Sequence, residues 1–143
     1  MQHSRYGQAF IAALEAISPG LSKDISRASL LEKEQARQLF SFLLERACQC
    51  QHMGNITLGR LMLKEVPENV RVAHLEETAH RVLDLEDEWE FRQLLWVYDE
   101  LGRGEAFDRL ILRGLASTDP DLREAAQDWM ERPLQRNEIP LSQ

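Results

Sequence analysis

Glu88-Trp89-Glu90-Phe91-Arg92-Gln93-Leu94-Leu95 recurs, 31 residues later, as Asp119-Pro120-Asp121-Leu122-Arg123-Glu124-Ala125-Ala126. Further along, Tyr98 matches Trp129 and Glu100 matches Glu131. The shared pattern is acid, any residue, acid, apolar, Arg, polar, apolar, apolar, and then an aromatic. Each part of it has a helical reason. Acids in a first turn sit at the positive end of the helix dipole. Glu88 to Arg92 and Asp119 to Arg123 are acid-to-base pairs four residues apart in the favourable orientation, about 0.2–0.5 kcal/mol each. The apolar positions line one face of a 3.6-residue period. The stretch therefore predicts two similar amphipathic helices, and a repeat of this kind bears on the whole architecture.

Working outward, the same spacing predicts seven helices in all. The first spans about Ser4 to Ser18, with Tyr6, Ala9, Phe10, Ala13, Leu14 and Ile17 on one face, and Pro19-Gly20 ends it. A polar connection, Leu21 to Ala28, leads to a Ser29/Glu32 capping box. The second helix then runs to about His52. Its apolar residues spread over more than one stripe, which makes it central. Gly54-Asn55 is read as a break, followed by a short third helix from Ile56 to about Lys64. The fourth, about Glu68 to Leu83, presents Val72, Leu75, Ala79, Val82 and Leu83. The fifth, about Glu86 to Leu101, ends at Gly102 and Gly104. The sixth runs from about Glu105 to Leu115, and the seventh follows Asp119-Pro120. No segment alternates with period two, so no sheet is expected. The expected fold is all-α, an irregular array in a single domain over residues 1–132. Residues 133–143 form a tail whose Leu134, Ile139 and Leu141 are available to pack back.

The Asp119–Ala126 stretch resembles the first helix of a HEAT-type repeat, and the resemblance covers about residues 84–132. Trp89 in the first copy stands where that family often has proline, as Pro120 does in the second. The resemblance implies helix pairs stacked into a scaffold that binds other proteins.

The chain has 143 residues, enough for one domain with a real core, and a net charge of −7. Residues 1–64 carry five acids and eight bases, residues 65–108 thirteen and four, and residues 109–143 six and five. Acid is thus concentrated in the middle, which argues against general nucleic-acid binding. No secretory signal or membrane-length apolar run is visible. With only Cys48 and Cys50 there is no disulfide framework, and two residues apart on a helix they point in different directions. A cytoplasmic protein is expected.

No catalytic signature, cofactor motif or metal set stands out. Glu77-Thr78-Ala79-His80 has the Glu-x-x-His spacing of helical-bundle metal enzymes, but in one copy only, and His74 is not placed to chelate with His80. A helix–turn–helix reading of residues 36–65 would aim Thr57, Arg60 and Lys64 at DNA from a short recognition helix. The better surface is the fifth helix. Asp84, Glu86, Asp87, Glu88 and Glu90 form an acidic cluster, and Trp89 and Trp96 share one stripe with Val97 nearby. Acid-ringed aromatics suit a basic protein partner, because tryptophan anchors and acid speeds encounter. The competing expectation is that another helix covers both tryptophans. The function expected is a non-enzymatic protein-interaction module of the small acidic inhibitor, immunity or adaptor kind. A metal-dependent bundle enzyme and a DNA binder are the alternatives, and exposed apolar residues equally suit a homodimer.

Overall fold

In the computed structural model, which describes residues 5–134 and the side chains of 7–134, seven α-helices form and no strand appears among the described residues. Helix α1 is Arg5–Ile17. Beyond it Pro19 and Gly20 turn the chain, Gly20 at φ +88°. Glu15 reaches forward to hold that turn: its carboxylate accepts from Gly20 N at 3.0 Å, Ser22 N at 2.9 Å and Ser22 Oγ at 2.7 Å.

The expected Ser29/Glu32 box does not form. Asp24 instead caps a 3-10 segment, Ile25–Leu30, and Ser29 lies inside it. Helix α2, Lys33–Leu44, is capped at Glu32, three residues after the expected cap, with Glu32 N donating to Gln35 Oε1 at 3.1 Å. Asp24 wins because its short carboxylate bonds the backbone two residues on, committing residues 25–30 to a tight turn before α2 can start. Gln35 also donates to the Ile17 carbonyl, tying α1 to α2. Ala36, Leu39, Phe40, Leu43 and Leu44 are buried. The helix packs on α1, on α3 (Met53–Glu65) and on α4 (Glu68–Val82).

Helix α2 runs into a π turn, Glu45–Gln49. The expected break at Gly54-Asn55 is absent. His52 caps α3 through Nδ1, and both residues lie in its first turn. Gly59 explains how α3 meets the π turn: a Cβ there would stand 2.8 Å from Ala47 N and 3.0 Å from Leu43 O. At the far end, Arg71 Nη1 donates to the carbonyls of Leu63, Lys64 and Val66, closing α3.

Helix α4 buries Val70, Leu75, Thr78 and Ala79, whereas Val72, expected in the core, is 79% exposed. Helix α5, Glu88–Glu100, is capped by Asp87. It packs on the π turn, α3, α6 (Gly104–Leu115) and α7 (Pro120–Glu131). Gly114 lets α6 approach closely, since a Cβ there would lie 2.6 Å from Phe91 Cζ and 2.7 Å from Ala126 Cβ. The repeat's apolar register holds in three dimensions: Phe91, Leu94, Leu95 and Tyr98 are buried, and so are Leu122, Ala125, Ala126 and Trp129. Its polar register does not. The caps Asp87 and Asp119 fall one residue out of step. Arg92 bonds Glu88 at 2.9 Å, but Arg123 bonds the Ser117 carbonyl at 2.8 Å rather than Asp119. One continuous core runs from Phe10 to Trp129. Of the expected tail, Ile139 and Leu141 lie outside the described residues.

Candidate functional site

Trp89 and Trp96 lie one above the other along α5, two turns apart. Trp89 is 44% exposed and Trp96 36%, and Trp96 is partly covered by side chains of α3 and α7. Val97, expected beside them, is buried. The Arg60 guanidinium from α3 stacks over the Trp96 ring, 3.9 Å from its centre, and donates to the buried Gln93. From below, Trp129 stands 6.1 Å away, tilted by 51°. Trp96 is therefore a braced, partly covered ring, while Trp89 is the more exposed of the two. Half-burial lowers the pKa of Arg60, opposed by the charge of Glu100.

The acids of residues 84–90 are held in place. Asp84 Oδ1 accepts from Glu86 N at 3.0 Å. Glu90 Oε1 accepts from Asp84 N at 3.2 Å and from Gln49 Nε2 at 2.8 Å, and Gln49 in turn donates to the Val82 carbonyl. Asp87 accepts from Glu90 N at 3.0 Å. Glu88 pairs with Arg92, and Arg92 with Asp128 at 3.2 Å. Glu86 pairs with Arg113 at 3.3 Å. Much of the cluster's work is local: capping α5, shaping the loop before it and fastening it to the π turn. With Asp128 and Arg60 counted, six acids stand against Arg60, Arg92 and Arg113, and the patch is net negative.

Gln49, Arg60, Asp128 and Trp129 belong to this face and were not assigned to it from sequence. The helix–turn–helix reading aims Arg60 at DNA. Arg60 is turned inward onto α5, stacked on Trp96 and bonded to Gln93. Thr57 and Lys64 remain exposed.

The metal alternative places Glu77 and His80 with different partners. Glu77 accepts from Arg37 at 2.9 Å, which holds its carboxyl below the ordinary range. His80 Nδ1 faces Arg113 at 3.5 Å. Among the described residues no group of three or more His, Cys, Asp or Glu is arranged to hold a metal ion. Cys48 is buried and Cys50 partly so, both as free thiols, and burial pushes the Cys48 thiol up. No helix among the described residues is long and apolar enough to cross a membrane. Compared with protein-family models, curated proteins and solved structures, the chain has no match.

Proposed function

We propose that this protein is a non-enzymatic interaction module that docks a basic segment of another protein on α5, as a small acidic inhibitor or an adaptor does. The observation that carries the reading is the exposure of Trp89 and Trp96 on one stripe beside a net-negative segment, residues 84–90. Large rings held in place lose little entropy on binding and make good anchors. The acids of residues 84–90 raise the encounter rate with a cationic partner. A HEAT-like scaffold is part of the proposal. What supports it is that α5 and α7, the two repeat helices, pack directly on each other while α6 packs on both. The two free thiols suit a reducing compartment, and hence the cytoplasm.

The test is capture of a partner from extract of the native host, compared across wild type, Trp89→Ala and Glu86→Lys/Glu88→Lys, each first matched for helicity by circular dichroism. Trp89→Ala is the cleaner aromatic variant, because Trp96 also braces Arg60. The expected result is one stoichiometric partner, weakened by about 2 kcal/mol in Trp89→Ala and with a salt-dependent loss in the charge-reversed variant. A partner indifferent to both variants places the interface elsewhere.

A further inference from the structure

On the opposite side of α5 from Trp96, a cleft of about 380 Å³ opens between α4 and the turn from α5 to α6. Trp96 and Tyr98 are two residues apart, about 200° around the helix, so the cleft is separate from the aromatic face and its reading is independent of the partner proposed there. Its walls are apolar at Leu75, Leu101 and Ala106, and Val72, displaced from the core, forms part of its edge. Tyr98 also lines it, but with its hydroxyl closed off. Three arginines and three glutamates stand among the lining residues, so the formal charge there is zero.

Two of the arginines are neutralised within the protein. Arg109 grips Glu76 through Nε and Nη2, at 2.8 and 2.7 Å, and Arg103 Nε bonds the buried Asp99 at 2.8 Å. Arg71 differs from both. Its Nη1 donates to the carbonyls of Leu63, Lys64 and Val66, and it forms no ion pair among the described residues. Its Nε–Nη2 edge, the edge by which Arg109 holds Glu76, makes no bond and is not closed off. Such a planar fork matches a carboxylate with two parallel hydrogen bonds. Two of the glutamates are likewise available. Glu68, in the first turn of α4, makes no bond or ion pair among the described residues. Glu105, in the first turn of α6, is 92% exposed and meets Arg109 only at 3.7 Å. Glu68 and Arg71 are three residues apart and so neighbours on one face of α4. A simple anion in the cleft would face the two acids, and a simple cation would face Arg71. A zwitterion satisfies both.

We infer that this cleft binds a free amino acid with an apolar side chain. Its carboxylate sits on the open Arg71 fork, its ammonium faces Glu68 and Glu105, and its side chain lies against Val72, Leu75, Leu101 and Ala106. The volume is in the range of small-molecule pockets, which combine apolar walls with a few placed polar groups.

The experiment uses the full chain labelled with ¹⁵N, following the amides of Gly102 and Gly104, which line the cleft. Three probes with one shared body are titrated: L-phenylalanine, 3-phenylpropionate, which lacks the ammonium, and 2-phenylethylamine, which lacks the carboxylate. L-Phenylalanine is expected to shift both amides saturably. Glu68→Gln/Glu105→Gln should weaken L-phenylalanine and 2-phenylethylamine about two- to fivefold, the range of an exposed ion pair, and leave 3-phenylpropionate no weaker. Arg71→Lys keeps the charge and loses the fork. It should weaken L-phenylalanine and 3-phenylpropionate about tenfold and leave 2-phenylethylamine unchanged. Because Arg71 also closes α3, this variant is first matched to wild type by circular dichroism, and the glutamine variant stands if it fails to fold. Comparing variants probe by probe cancels the probes' different hydrophobicity. No saturable shift with L-phenylalanine on the wild type overturns the site, and an equal effect of the glutamine variant on all three probes overturns the zwitterion.

Discussion

Glu15 shows how one side chain can set a boundary between elements. Its three accepted bonds fasten the turn after α1, and they hold its carboxyl down from the ordinary 4.5 to about 2, the Gly20 amide contributing most. Between those values the unfolded chain binds a proton that the folded chain does not. Stability from this group is therefore present above pH 4.5 and is lost as pH falls toward 2. Acid titration followed by circular dichroism should show Glu15→Gln as less stable than wild type at neutral pH, with the difference closing across that window. Asp99 is the second decisive residue. Its side chain is fully buried against Arg103, the residue that carries the unusual backbone. Asp99→Ala leaves a cation and a strained turn without their anchor. We expect a loss of about 3–5 kcal/mol in urea denaturation. A loss below about 1 kcal/mol, the range of a surface pair, means that the pair does not hold the turn.

At the scale of elements, two glycines inside helices decide how closely the helices meet. Helix propensity alone favours Gly→Ala by about 1 kcal/mol, so the sign of the substitution separates local preference from packing. At Gly59 the added Cβ meets the backbone of the π turn, which has little room to yield. At Gly114 it meets Phe91 and Ala126 in the core. Both Gly59→Ala and Gly114→Ala should destabilise by about 1–3 kcal/mol, read as lower thermal midpoints. A gain at either position means that the helices separate at little cost. The same packing explains the two-register repeat. Phe91 and Leu122 keep step because each fills a core position, whereas Asp87 and Asp119 answer only to the ends of their own helices.

Across the whole molecule, α4 packs chiefly on α2, while α5 carries α6 and α7 and joins the first half through the π turn and α3. The core is nonetheless continuous between the halves, and a continuous core predicts one cooperative transition. The three tryptophans, Trp89, Trp96 and Trp129, all lie in the second half, whereas backbone ellipticity reports both. Urea unfolding followed by tryptophan fluorescence and by far-ultraviolet circular dichroism should therefore give coincident curves. Separate midpoints would mean that the joint at the π turn is weaker than the core on either side of it.

What the sequence determined by itself is what local geometry controls. The 3.6-residue period marks the faces of α5, α6 and α7, the Asp119-Pro120 start appears where it was read, and the Glu88–Arg92 pair follows from spacing alone. Even locally, competition between neighbouring signals misled: Asp24 took the turn before Ser29 could cap, and His52 started α3 through Gly54-Asn55. In the candidate site, Trp89, Trp96 and the acids from Asp84 to Glu90 were legible because they adjoin in sequence. The partners that give the site its form were not. Gln49 meets Glu90 across 41 residues and Arg60 meets Gln93 across 33, and no period or spacing encodes contacts between elements whose pairing is set by packing. For the same reason only the tertiary structure turned Val72 outward, paired Glu76 with Arg109, and left the Tyr98 hydroxyl buried beside a cleft.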